Sequence, residues 1–172
     1  MISHNIKSLL IAITLLGSTQ VTAEKIAACE TQECATYFKT FKHGANRGHP
    51  DAMATLAQFY YYGYGTKENK EKAFIYFKKA AKLGSISAIY KTGLIYLSDE
   101  QRKDLSKGAR YIERAAKYDY VSASFLLSVV YINKTFGLYD PEKADVYLAK
   151  SYQARHQDMP VVISYLEESA PI

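Results

Sequence analysis

From residue 52 onward the apolar side chains return at helical intervals. Ala52, Leu56, Phe59 and Tyr60 stand at i, i+4, i+7 and i+8, one face of an α-helix. Gly63-Tyr64-Gly65 then interrupts the pattern, because glycine tolerates the backbone angles of a tight reversal. A second stripe follows at Ala73, Tyr76, Phe77, Ala80 and Ala81, and Gly84 closes it as a C-cap. The pattern predicts a pair of helices joined by a short turn.

That pair recurs. Ala52 returns as Ala88 and Ala123, at intervals of 36 and 35 residues, and Tyr60 returns as Tyr96 and Tyr131 at the same intervals. Ala73, Gly108 and Ala144 form a second series, as do Tyr76, Tyr111 and Tyr147, now at intervals of 35 and 36. Ala80-Ala81 comes back as Ala115-Ala116 and, weakly, as Ser151-Tyr152. The offset between the series places a one-residue deletion between Tyr96 and Gly108. A repeat of this length identifies a solenoid, in which each hairpin buries its apolar stripe only by stacking on its neighbours. The small residues have a packing role, since a methyl group lets two helix axes approach while Tyr and Leu fill the space beside them.

These residues resemble the Sel-one-like repeat family, α-solenoid relatives of the tetratricopeptide proteins. Between Gly48 and Gly84 the resemblance rests on Ala52, Leu56, Tyr60, Gly63, Gly65, Lys72-Ala73, Tyr76, Lys79-Ala80-Ala81 and Gly84. The second repeat keeps Ala88, Gly93, Tyr96, Tyr111, Ala115 and Ala116 but carries Asp99 and Asp119 where the family has glycine. The third keeps Ala123, Leu127, Tyr131, Ala144 and Tyr147 and loses the alanine pair. The expected architecture is all-α: a short solenoid of three repeats (48–83, 84–118 and 119–155) between an N-terminal capping segment (24–47) and a C-terminal capping helix and tail (156–172). Eight helices and no strand are predicted. Pro160 opens the last helix, whose Val162, Ile163 and Leu166 are expected to cover the final repeat.

Residues 1–23 read as a secretory signal. Lys7 supplies the positive start, Leu9 to Gly17 a short apolar run, and Val21-Thr22-Ala23 the small residues before a cut. The run is about half of the roughly 20 residues that a membrane-spanning helix needs. Ile26-Ala27-Ala28-Cys29 offers a lipid-anchor alternative, opposed by the charged Glu24 and Lys25 in front of it. The expected location is the periplasm, with membrane attachment only if Cys29 is lipidated. In that oxidising compartment Cys29 and Cys34 are expected to form a disulfide that pins the end of the first helix. Their spacing is not C-x-x-C, and His43, His49 and His156 show no zinc-ligand spacing with them, so neither a redox nor a metal site is expected.

The remaining chemistry is sparse. The formal charge is +5, with the Lys67-Glu68-Asn69-Lys70-Glu71-Lys72 stretch reading as a solvated face rather than a nucleic-acid footprint. No Ser has Lys three residues later, and neither H-E-x-x-H nor a glycine-rich phosphate loop occurs. No catalytic residue and no cofactor is therefore expected. Asn133-Lys134-Thr135 has the form of a glycosylation sequon but reads as a helix end.

The resemblance implies protein–protein binding. In tetratricopeptide-like solenoids the first helix of each pair lines the concave face. Counting from Leu56, Thr92 and Leu127, that rule puts Gln58, Tyr61 and Tyr62 on it from the first repeat. Tyr90, Leu94 and Leu97 follow from the second, and Phe125, Val129 and Ile132 from the third. Tyr offers large contact area with a polar tip at low conformational cost, which suits a partner site. A stripe at this spacing also serves internal packing, and the chain's own C-terminal helix is an alternative cover. The function expected is a non-enzymatic envelope protein that binds one protein partner. Alternatives are an immunity or inhibitor protein, a cell-wall or β-lactam hydrolase, and an assembly factor.

Overall fold

The computed structural model describes residues 29–153. Among them are seven α-helices and no strand: α1 (Gln32–Asn46), α2 (Pro50–Tyr62), α3 (Lys70–Lys82), α4 (Ile86–Ser98), α5 (Leu105–Ala116), α6 (Val121–Ile132) and α7 (Pro141–Gln153), with a 3-10 turn at Lys134–Phe136. Consecutive helices pack as an antiparallel series, α2 with α3, α4 with α5 and α6 with α7 forming the three hairpins. The expected leader and the C-terminal capping helix with Val162, Ile163 and Leu166 lie outside the described residues.

The hairpins are built by one device used three times. The second helix of each starts at a polar N-cap whose side chain accepts from a backbone N–H: Asn69 from Lys72 at 2.8 Å, Asp104 from Lys107 at 2.8 Å, Asp140 from Lys143 at 3.0 Å. The N–H of each cap residue in turn donates to a tyrosine carbonyl in the preceding helix, Tyr60 (2.7 Å), Tyr96 (2.9 Å) or Tyr131 (2.8 Å). Those same tyrosines stack on the tyrosine of the facing helix. Tyr60–Tyr76, Tyr96–Tyr111 and Tyr131–Tyr147 have ring centroids 5.8, 5.7 and 6.0 Å apart. A lysine three residues past each cap lies over the ring from the first helix: Lys72 over Tyr60, Lys107 over Tyr96, Lys143 over Tyr131. Cap, stack and cation thus close each hairpin at its loop end.

The loops bear out the deletion, since 99–104 is one residue shorter than 63–69. The two aspartates in glycine positions behave differently. Gly63 ends α2 in the left-handed region (φ 72°), whereas Asp99 ends α4 in extended backbone and uses its carboxylate on Gln101 N–H and Arg102. Asp119 keeps the left-handed geometry of Gly84, at φ 55°. The third repeat, weak in sequence, has the same hairpin geometry. Asn133 there caps the 3-10 turn by accepting from both the N–H and the hydroxyl of Thr135.

Within and between hairpins the small residues carry the packing. Ala80, Ala81, Ala88, Ala115, Ala116 and Ala123 are buried around Leu56, Ile89, Ile112, Leu127 and Val130. At the α4–α5 crossing Gly93 faces Gly108; a Cβ on either would come within 3.2 Å of the other's carbonyl oxygen and closer still to Ile112 or Leu97. Long-range capping ties the repeats end to end. Arg114 donates to the Ala81 carbonyl at 2.6 Å and Lys150 to the Ala116 carbonyl at 2.5 Å, satisfying carbonyls at the ends of α3 and α5.

At the N-terminus Cys29 is disulfide-bonded to Cys34, in the first turn of α1, whose cap Thr31 accepts from Cys34 N–H. The bond does more than pin the helix. The Cys29 carbonyl accepts from Gly65 N–H at 2.6 Å, and a Cβ on Gly65 would overlap the Cys34 carbonyl. At the far end Tyr152, in the place of buried Ala81 and Ala116, is 64% exposed.

Candidate functional site

The first helices of successive hairpins, α2 and α4, do not close completely against one another. Between them lies a cavity of about 170 Å³ lined by Gln58, Tyr61 and Tyr62 from α2, Lys91, Leu94, Ile95 and Ser98 from α4, and Phe77 of α3 at its floor. Apolar side chains build the walls. Phe77 and Ile95 are buried, and the Tyr61 and Tyr62 rings meet edge to face at 4.9 Å. The polar groups stand at the margin. Ser98 donates to the Leu94 carbonyl at 2.9 Å. Lys70 Nζ lies 5.9 Å from the Tyr61 ring centre. No carboxylate among the described residues forms an ion pair with Lys91. An apolar cavity of about 150 Å³ accepts a benzene-sized group in a well-characterised protein. This one has room for a single large side chain.

Four of the nine residues assigned to the concave strip, Gln58, Tyr61, Tyr62 and Leu94, come together here. The other five lie elsewhere. Leu97 is buried beneath α5, where its side chain occupies the space in front of Gly108. Tyr90 turns to Tyr120, ring centres 5.0 Å apart, and burial, then the neighbouring phenol, raises its pKa above 10.0. Phe125, Val129 and Ile132 sit half-buried on α6, outside the cavity. Phe77, Lys91, Ile95 and Ser98 complete the lining without having been assigned to the binding strip from the sequence. Ser98 and Tyr62 occupy equivalent repeat positions, so the period that located Tyr62 was the signal for Ser98. The pattern marked Phe77 only as a core residue of the second stripe, not as part of a site.

The most perturbed side chain lies away from this cavity. The Tyr131 hydroxyl donates to Glu113 Oε1 at 2.5 Å, and its pKa is raised first by burial and then by the hydrogen bond to that carboxylate. It belongs to the stacked hairpin pair and has no nucleophile beside it. Among the described residues no group of His, Cys, Asp and Glu is arranged to hold a metal ion.

Comparison with known proteins locates this architecture. The Sel1 repeat family model matches residues 50–85 and 86–117. A curated fission yeast protein, chitin synthase regulatory factor 3 of Schizosaccharomyces pombe, is 30% identical over 99 residues, which is 55% of this chain and 11% of that protein. Among solved structures, a Sel1 repeat protein from Oxalobacter formigenes superposes with a TM-score of 0.63 at 23% identity, covering 69% of this chain and 49% of its own. The protective antigen c5321 of uropathogenic Escherichia coli, described as displaying an SLR fold, gives 0.69 at 20% identity, covering 73% and 27%. The chain therefore spans less than half the length of each of these relatives. Sel1 repeats are protein-interaction modules. Residues 50–117 thus carry two Sel1 repeats, a third hairpin shares their geometry, and the described residues together form an all-α helical solenoid of the SLR type.

Proposed function

We propose that this chain is a non-enzymatic protein-binding module of the bacterial cell envelope, which seats an apolar side chain of one protein partner between α2 and α4. The observation that carries the reading is the cavity itself, apolar at its floor and rimmed by Tyr61, Tyr62, Gln58 and Lys91. Rigid aromatic rims around a desolvated pocket are the usual form of an interface hot spot. The pocket is preformed by packing, so little ordering entropy opposes occupation. The envelope assignment rests on the leader-like pattern of residues 1–23 and on a disulfide suited to an oxidising compartment.

The test is crosslinking and mass spectrometry on native envelope fractions, with a photoreactive residue at position 58. A single protein captured there, with Tyr61→Ala and Leu94→Ala each weakening its binding by about 2 kcal/mol, is the expected result. Tyr90→Ala, outside the cavity, serves as the control. Binding unaffected by both cavity substitutions would remove the site from the proposal. Nitrocefin and peptidoglycan turnover by the purified protein, abolished by one point substitution, would favour an enzyme instead.

A further inference from the structure

Charge is unevenly divided between the two edges of the solenoid. One edge holds the interhelical loops 63–69, 99–104 and 133–140, where acids and bases alternate. Four of the five ion pairs among the described residues lie there: Glu68–Lys70, Glu71–Arg102, Asp99–Arg102 and Asp140–Lys143. The other edge holds the turns between hairpins. Its geometry is fixed by Arg114 reaching the Ala81 carbonyl, Lys150 reaching the Ala116 carbonyl and the Ser85 hydroxyl donating to Asp51 at 2.7 Å. These contacts bring the ends of α3, α5 and α7 and the start of α2 side by side.

On this second edge the exposed cations are Arg47, Lys79, Lys82 and Lys117, none of them in an ion pair among the described residues. Among the described residues its carboxylates are engaged, Asp51 with Ser85 and Asp119 with Lys150. Basic residues at helix C-termini complement the helix dipole, and that role accounts for Arg114 and Lys150. It does not account for the apolar groups beside them. Leu83 (52% exposed) and Tyr118 (58%) occupy equivalent positions, each directly after a lysine and just past the end of its helix.

We propose that this edge docks on an anionic lipid surface. Unpaired Lys and Arg are drawn to the negative potential of such a surface, and each contributes within a Debye length of it. Among them Leu83 suits the acyl boundary, and Tyr118, with an apolar ring and a polar tip, suits the headgroup level. Two exposed side chains at equivalent repeat positions suit a flat target. An acidic protein partner would use the cations but gives no reason for Leu83 and Tyr118 to stand proud of the edge. The site is independent of the α2–α4 cavity, so either assignment can fail alone.

The experiment is co-sedimentation of the chain without its expected leader, residues 24–172, with vesicles of phosphatidylcholine alone or of phosphatidylcholine mixed with anionic phosphatidylglycerol. Binding to the anionic vesicles, lost in high salt and absent on phosphatidylcholine, is expected. Lys79→Glu with Lys82→Glu and Lys117→Glu should weaken it at least tenfold (about 1.4 kcal/mol). Leu83→Ser with Tyr118→Ser should weaken it severalfold while leaving the salt dependence in place. Lys67→Glu with Lys70→Glu, on the opposite edge, should leave it unchanged. Circular dichroism verifies that each variant is folded. Equal binding to both vesicles, indifference to the triple reversal, or binding to soluble polyglutamate or DNA with none to vesicles would overturn the proposal.

Discussion

Asp119 holds a left-handed backbone (φ 55°) at the position where the preceding repeat has Gly84 (φ 94°). A side chain there meets steric strain that glycine avoids, offset in part by the Lys150–Asp119 ion pair at 3.1 Å. Asp119→Gly is therefore expected to stabilise the protein by about 0.5–1 kcal/mol in urea unfolding, because the exposed ion pair is worth less than the relieved strain. Gly65 gives the opposite case. Its φ of 64° and its approach to the Cys34 backbone both exclude a Cβ, and Gly65→Ala is expected to destabilise by more than about 1 kcal/mol. The sequence marked both positions as glycine sites of a repeat. Which of the two aspartate replacements would keep the left-handed turn was not readable from it. Asp99 escaped by extending the backbone and bonding to Gln101 and Arg102, contacts that depend on the loop's final shape.

At the scale of the element, each helix reads clearly from its stripe, while its closest approach to a neighbour does not. Gly93 and Gly108 lie in helices where alanine would raise intrinsic helicity by about 1 kcal/mol. Their mutual contact reverses that preference, since a Cβ at Gly93 would meet Ile112 and one at Gly108 would meet Leu97. Gly93→Ala is expected to cost about 1–3 kcal/mol by overpacking, measured by chemical denaturation with helicity checked by circular dichroism. The same crossing explains why Leu97 is core and not groove: its helical phase points to the concave side, but glycine opposite it lets α5 close over it. At the N-terminal helix, reducing the Cys29–Cys34 disulfide should lower stability by about 2 kcal/mol on the chain-entropy argument. Hydrogen exchange should then rise in α1 and at Gly65 together, because Cys29 is tied to α1 by its sulfur and to Gly65 by its carbonyl.

Over the whole molecule, stability should depend on alkaline pH. The phenols of Tyr60, Tyr90, Tyr131 and Tyr147 all have pKa values raised above 10.0, in each case chiefly by burial. A group that ionises more readily when unfolded leaves the native state binding more protons at high pH. Its contribution is complete below pH 10 and is lost as the pH climbs from the unfolded value towards the folded one. Thermal melts between pH 8 and 11 are expected to show Tm falling above pH 10. Tyr131→Phe should make that fall shallower, since its hydroxyl, bound to Glu113, is the hardest to ionise in the folded chain. A Tm flat across that range would contradict the account.

The repeating stripes of Ala and Tyr by themselves determined an all-helical stack of hairpins, its turn positions and the shortened loop of the second repeat. They could do so because each hairpin is a local unit whose neighbours repeat the same side-chain spacing. The cavity between α2 and α4, the burial of Leu97 and the division of charge between two edges were decided only in three dimensions. Each depends on how closely helices approach, within the second hairpin at its glycine crossing and between hairpins through capping contacts more than 30 residues apart.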